Sequence, residues 1–327
     1  MRLATLDGDG PDGQLVVVSA DLQRSLAVSV APTMQAALAD WAAVEPALRR
    51  LSECLATDPA LGMPFEWRAA RAPLPRAWQW LDGSAFLVHG ELMAQAFGIK
   101  VMSNGRPLMY QGLSDHFLGP ADDVPLPSES DGIDFEGEYG VIVDAVPMGI
   151  TPAAALAHIR LVTQINDWSL RTIAPLEMKT GFGWLQSKPA CSAAAVAVTP
   201  DELGLAWRDG RVHLPLAIDL NGRHFGRASG GEMEFGFHEL IAHAARTRRL
   251  CAGTLIGSGT IANKDYAAVG SSCISERRMI ETIERGAAET PFMRFGDRVR
   301  MEARDLRGAP LFGPIDQQVV VAPMEGR

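Results

Sequence analysis

Two glutamates one residue apart, Glu136 and Glu138, stand at the head of a β-branched, alternating run from Gly137 to Val143. In a strand, side chains two apart point to the same face. The pair therefore projects into one space, and adjacent carboxylates repel unless something positive lies between them. Burying such charges unpaired is expensive, so either both face water or they share a cation. A second polar group, Asn166-Asp167-Trp168-Ser169-Leu170-Arg171, follows an apolar run with Leu161 and Val162. An Asp at the end of a buried strand is well placed for chemistry, although an Asp-Trp pair could equally cap a helix. The third group is Asp82 and His89. With a helix from about Ser84, a rise of about 1.5 Å per residue separates them by roughly 10 Å along the chain. One end can then touch a metal while the other meets a substrate lying between them.

The elements that must carry these groups are legible in outline. The first 80 residues differ from the rest: Val16-Val17-Val18 and Val28-Ser29-Val30 read as short strands, and 34–58, with Trp41 and Leu48, as helical. The proline-bearing stretch 68–75 is the expected linker. Beyond it the chain reads as largely β. Asp209-Gly210 and Asn221-Gly222 predict hairpins, because type I′ turns need positive φ at both positions. Thr151-Pro152 opens a short helix. An amphipathic helix is expected over 235–250, followed by the glycine-rich strand end Leu255-Ile256-Gly257-Ser258-Gly259-Thr260. That loop has neither P-loop nor dinucleotide spacing.

Composition narrows the function. Among 327 residues, 47% hydrophobic and 21% charged residues suit a globule with a sizeable core. A net charge of −9, from 30 basic and 39 acidic residues, argues against a nucleic-acid partner. Cys54, Cys191, Cys251 and Cys273 form no CxxC pair and read as reduced thiols. The start has no apolar signal core, and no run of about 18 apolar residues occurs. The expectation is a cytoplasmic protein with no membrane segment.

Together, Asp134-x-Glu136-x-Glu138, Asn166-Asp167-Trp168-Ser169-x-Arg171, a lysine in a loop and Gly257-Ser258-Gly259-Thr260-Ile261 resemble the fumarylacetoacetate hydrolase family over about residues 78–315. The resemblance implies an α+β, mainly β fold: a mixed β-sandwich roll over 78–327, preceded by a small N-terminal α+β domain over 1–75. It also implies a dimer. It assigns a Mg²⁺ or Ca²⁺ ion to Asp82, Glu136, Glu138 and Asp167, and an all-oxygen set agrees with a hard cation. Lys188, preferred to Lys179, matches the family's charge-stabilising lysine. His89 and Glu276 match its histidine–glutamate pair, which activates water; otherwise His89 is a plain helix histidine. Tyr110, Arg171 and Thr260 match its substrate-binding residues. The expected substrate is a small β-dicarbonyl acid, an acylpyruvate or fumarylacetoacetate-like, cleaved at a C–C bond. Decarboxylation, hydration or isomerisation of a 2-oxo acid would pass through the same enolate.

Two positions depart from the naming hydrolase: Ala174 replaces a glutamine and Gly98 an arginine, with Lys100 nearby as a substitute cation. Among other histidines, His116 is a candidate second acid/base. His238 and His243 are five apart, not four, so they make no zinc-protease motif. Glu239 and His243 read as a helix-surface pair.

Overall fold

The computed structural model of the chain describes residues 1–97 and 105–323. Strands β1 (Arg2–Leu6), β2 (Gln14–Val18) and β3 (Arg24–Ala27) come first, then helices α1 (Met34–Ala39) and α2 (Trp41–Thr57) and strand β4 (Met63–Pro64). The helical reading of 34–58 holds, as two helices. The strand expected at 28–30 lies earlier instead, because Leu22, at φ 57°, turns the chain back and β3 starts at Arg24.

Next come β5 (Gln79–Gly83), α3 (Leu87–Phe97), β6 (Met109–Gly112), β7 (Val124–Leu126), β8 (Ile133–Asp134) and β9 (Gly137–Val143). The short helix α4 (Pro152–Ala155) has Thr151 as its cap and Pro152 at its first position. It leads into β10 (Ile159–Asn166), β11 (Ser169–Leu170), α5 (Ala174–Met178), β12 (Ser192–Ala193) and β13 (Val196–Val198). Two hairpins follow: β14 (Trp207–Arg208) with β15 (Arg211–Val212), and β16 (Leu216–Leu220) with β17 (Arg223–Gly226). Their turns carry φ of 51° and 63° at Asp209 and Gly210, and 52° and 72° at Asn221 and Gly222. The remaining elements are α6 (Phe237–Ala244), β18 (Thr254–Gly257), α7 (Tyr266–Val269), α8 (Ile274–Arg285), β19 (Arg298–Ala303) and β20 (Ile315–Val321). The helix expected over 235–250 stops at Ala244, since Arg246-Thr247-Arg248-Arg249 is exposed and offers no apolar face to bury.

Among the described residues eleven strands form one mixed sheet, β4-β3-β2-β1-β13-β10-β9-β18-β5-β6, with β12 pairing on β10. A second sheet, β17-β16-β19-β20-β7, packs on it. β9 is buried along its whole length because both faces are covered. Tyr139, Val141 and Val143 pack with Ile218, Val299 and Met301 of the second sheet, while Ile142 packs with Leu3, Leu15, Leu38 and Leu161. Buried Gln164 ties the sheets together, donating to the Met301 carbonyl at 3.0 Å and accepting from Ala303 N at 2.9 Å. The stretch 68–75 is held to β1: Arg71 N donates to the Thr5 carbonyl at 2.9 Å, and Thr5 Oγ1 donates to the Pro73 carbonyl at 2.7 Å. Among the described residues no helix is long and apolar enough to cross a membrane.

Candidate active site

Strands β5 and β9, on either side of β18, and the end of β10 aim carboxylates at one point. β18 lies between β9 and β5, and Gly257 pairs with Gly140 on one side and Asp82 on the other. A β-carbon at 257 would come within 2.3 Å of Asp82 Oδ1 and 2.9 Å of Glu138 Oε2. Glycine there leaves the room that the two acids occupy. Asp167 follows β10 directly, and its N–H donates to the Glu136 carbonyl at 3.0 Å. The strand-end reading of Asp167 therefore holds over the helix-cap reading. One oxygen each from Asp82, Glu138 and Asp167 lie within 4.8 Å of one another.

All three acids are buried, Glu138 and Asp167 fully. Neither Glu138 oxygen has a hydrogen-bond partner among the described residues. Burial, then the charges of Asp82 and Asp167, pushes the Glu138 carboxyl well above the usual carboxylate range. Asp82 is raised well above it for the same reasons, burial first and then Asp167. Burial also raises Asp167, although Lys188 opposes it. Three crowded, buried carboxylates, one of them (Glu138) with both oxygens unpartnered, fit a hard divalent cation, which would neutralise them and supply the missing partner.

Lys188 is buried beside this trio, its ammonium donating to Asp167 Oδ2 (2.6 Å), Glu136 Oε2 (2.8 Å) and Ser169 Oγ (2.8 Å). Burial works against its charge, but Asp167 and Glu136 outweigh that and raise its pKa. Lys179, the competitor, is exposed. Glu136 also takes Arg171 Nη2 at 2.5 Å. Burial disfavours its ionised form, yet Lys188 and Arg171 prevail and hold it below the usual range. The structure thus brings Asp82, Glu138 and Asp167 together and engages Glu136 with two cations.

Arg171 is less free than expected of a substrate-binding residue. Its Nε donates to Asp134 Oδ2 at 2.8 Å as Nη2 meets Glu136, and among the described residues Nη1 makes no hydrogen bond. Tyr110, on β6, donates its hydroxyl to Asp167 Oδ2 at 2.6 Å. Thr260 is nearly buried, and its hydroxyl makes no hydrogen bond among the described residues. His89, in the first turn of α3, has Nδ1 3.5 Å from Oε2 of Glu276, in the first turn of α8. Ala174 opens α5. Gly98 and Lys100 lie outside the described residues. His116 is exposed and lines a cavity of about 360 Å³ with Arg71, Arg76, Asp115 and Asp122, bordered by none of these carboxylates. The expected Glu239–His243 pair does not form: Glu239 accepts from Gly236 N at 2.7 Å and meets Arg211 at 3.5 Å, satisfying the start of its own helix.

Some neighbours escaped the sequence reading as functional groups. Asp134 accepts from the first two amides of α8, Ile274 N at 2.7 Å and Ser275 N at 2.9 Å, as well as from Arg171. It joins the glutamate segment to the helix bearing Glu276. Cys191 donates its thiol to Asp167 Oδ1 at 2.8 Å. Trp184 packs edge-on against Tyr110 at 4.7 Å, and Lys188 Nζ lies 5.4 Å from each ring. Asp134 and Ser169 stood inside the motifs already noted; nothing in the sequence marked Cys191 or Trp184.

A two-sheet α/β body with a buried acidic cluster beside an ammonium defines a class of protein built around a carboxylate cation site. The chain belongs to the fumarylacetoacetate hydrolase family: the family description "Fumarylacetoacetate (FAA) hydrolase C-terminal" matches residues 80–320. "Fumarylacetoacetase N-terminal domain 2" matches residues 1–76, where the sequence reading found no motif. The mitochondrial oxaloacetate tautomerase Fahd2a of Rattus norvegicus is 25% identical over 169 residues, 51% of each chain. A 2,4-didehydro-3-deoxy-L-rhamnonate hydrolase of a Sphingomonas strain is 27% identical over 157 residues, 47% of this chain and 52% of that one. The chain spans about half the length of the curated relatives it matches. Among solved structures, maleylpyruvate hydrolase from Sphingobium sp. SYK-6, in complex with manganese(II) and pyruvate, superposes with TM-score 0.66 at 16% identity. That match covers 99% of this chain and 100% of the other. Fumarylacetoacetate hydrolase from Exiguobacterium antarcticum gives 0.67 at 16%, covering 98% and 99%. At such identities these likenesses speak for the fold.

Proposed function

We propose that the protein is a divalent-cation-dependent hydrolase that cleaves a C–C bond in a small acylpyruvate-like β-dicarbonyl acid. The observation that carries this reading is the buried Asp82–Glu138–Asp167 trio, with Glu138 unpartnered and Lys188 alongside. When bound there, Mg²⁺, Ca²⁺ or a similar ion supplies Lewis-acid polarisation of the substrate's oxygens. Glu136, held by Lys188 and Arg171, would be the fourth acid of the set. His89, with Nδ1 facing Glu276, keeps Nε2 to accept a proton from water, and the carboxylate steadies the imidazolium. The oxygen of that water bonds to the substrate carbonyl carbon. As the C–C bond breaks, its electron pair leaves as an enolate, which takes up the proton held on His89. Lys188 and Arg171 offset the developing negative charge. Tyr110 and Thr260 hold the acid's polar ends.

The test is turnover with added Mg²⁺ over a panel of acylpyruvates, fumarylacetoacetate and oxaloacetate, with product analysis. Chelator-sensitive release of two acids from an acylpyruvate is expected. Chelator-insensitive cleavage would overturn the reading, and so would isomerised, hydrated or decarboxylated oxaloacetate as the sole product. Ala174 in place of a glutamine and Gly98 in place of an arginine leave fewer donors for a substrate's far carboxylate. Acetylpyruvate is therefore expected to exceed fumarylacetoacetate in kcat/KM at saturating Mg²⁺. A tenfold preference for fumarylacetoacetate would point to Lys100 as the replacement cation.

A further inference from the structure

Near the acidic trio the chain gathers a second donor set of different chemistry. Cys273 Sγ, a His89 ring nitrogen and a Glu276 oxygen lie within 4.8 Å of one another. The start of α8 produces this convergence. Cys273 is its N-cap and Glu276 its third residue, and Sγ accepts the Glu276 N–H at 3.2 Å. His89 arrives from α3, packed against α8, with Nδ1 3.5 Å from Glu276 Oε2. A separate observation says that something is missing. Glu276 is wholly buried, yet neither of its oxygens has a hydrogen-bond partner among the described residues, nor has His89 Nδ1. His89 Nδ1 stands 3.5 Å away without a hydrogen bond, and a buried carboxylate left so is expensive unless a cation meets it more closely.

We propose that His89, Cys273 and Glu276 form a second metal site, selective for a thiophilic cation such as Zn²⁺, whose occupation shuts off the neighbouring carboxylate site. Sulfur, nitrogen and carboxylate together make a zinc donor set, whereas the trio's oxygens suit harder ions. Zinc holds sulfur at about 2.3 Å and nitrogen at about 2.0 Å, which spaces tetrahedral donors roughly 3.3–3.7 Å apart. The His89–Glu276 separation already matches, and the widest pair needs a contraction of roughly 1 Å, within reach of side-chain rotation. On binding, the thiol proton passes to solvent and sulfur takes the cation in its place. A cation on Nδ1 confines the ring proton to Nε2, which can then donate but not accept. The inhibitory half of the proposal rests on His89 being the base; the site itself does not.

Co²⁺ serves as the optical probe, added to full-length protein already saturated with Mg²⁺. One equivalent should raise a near-ultraviolet thiolate-to-cobalt absorption that Zn²⁺ abolishes by competition. The band should vanish in Cys273→Ser and persist in Cys191→Ser. Serine is a favoured N-cap, so Cys273→Ser keeps the cap of α8 while losing the soft ligand. Cys191 is the necessary comparator because its sulfur touches Asp167 in the trio. No band in the wild type, or one that survives Cys273→Ser, overturns the site. In turnover, the Zn²⁺ concentration for half-inhibition should rise at least tenfold in Cys273→Ser, each protein referred to its own zinc-free rate. Equal sensitivity overturns the inhibitory role. Absence of turnover on every acid tried counts against the proposed function, while the band still decides the site.

Discussion

The carboxylate cluster turns on one side chain, Glu138. Its carboxylate is fully buried, unpartnered, and raised well above its usual range by burial and by Asp82 and Asp167. Replacing it by Gln removes a ligand and also one of three mutually repelling charges. Glu138→Gln is therefore expected to lower Mg²⁺ affinity at least a hundredfold by calorimetry, while the cation-free protein melts no lower than wild type. Unchanged affinity would place the cation elsewhere. With His89 as the proposed base, His89→Ala should cost roughly 10²- to 10⁴-fold in kcat with Mg²⁺ binding kept. Full activity in that variant would move the base to another group, with His116 the first to check despite its distance from the trio's lining. The glutamate pair was legible as a motif because strand periodicity marks both, although Glu136 precedes β9 and meets Lys188 and Arg171 instead of joining the trio. What Arg171 touches was not, since a sequence does not say which of several acids a long cation will choose. It chose Asp134 and Glu136.

The position of Lys188 depends on the chain between α5 and itself. Glu177 on α5 accepts from Leu185 N (3.1 Å), Gln186 N (2.8 Å), Ser187 N (3.0 Å) and Ser187 Oγ (2.5 Å), which fixes the backbone leading into Lys188. Burial opposes ionisation there, but the Ser187 hydroxyl and the three amides hold the carboxyl down at about 2. A folded-state pKa below the unfolded value means stability present above the unfolded value and lost as pH falls through the folded one. The urea-midpoint gap between wild type and Glu177→Gln should thus be full above about pH 5 and close toward about pH 2. A gap independent of pH would show that the amides need no charge. The same variant should lose kcat about tenfold while keeping Mg²⁺ affinity, as expected when positioning alone is relaxed. Elements whose conformation demands a particular residue were readable: the Asp209-Gly210 and Asn221-Gly222 turns and the Thr151-Pro152 cap. A glutamate collecting amides eight to ten residues away leaves no such mark. That is why the Lys188 loop stayed opaque, and why Glu239 was matched to His243 instead of to its own helix start.

The whole molecule joins what the chain order separates. Two family descriptions match on either side of residues 77–79, and the sequence suggested two domains, 1–75 and 78–327. Hydrogen bonding does not follow that division. β1 pairs antiparallel with β13, Arg2 opposite Val198, and β13 in turn borders β10, the strand that delivers Asp167. The connection escaped the sequence because long-range pairing is set by which apolar faces fit, and short valine-rich strands do not name their partners. Leu3, Leu15, Val17, Leu38 and Trp41 lie in one core with Ile142, Leu161, Ile165 and Ala197. Removing residues 1–76 would expose the last four and leave β13 as an open edge. Each large apolar side chain returned to water costs about 1.5–3 kcal/mol, so Ile142, Leu161 and Ile165 together would consume about 5–9 kcal/mol. A whole domain has only about 5–15 kcal/mol. A fragment of residues 77–327 is thus expected to aggregate on expression, since a bare apolar strand edge recruits other chains. Co-expression with residues 1–76 as a separate chain should restore solubility and Mg²⁺ binding together, because Ile165 and Asp167 share one strand and its end. Size-exclusion chromatography with calorimetry on both preparations checks this. A soluble 77–327 fragment with wild-type Mg²⁺ affinity would mean that the β1–β13 seam contributes nothing to the carboxylate site.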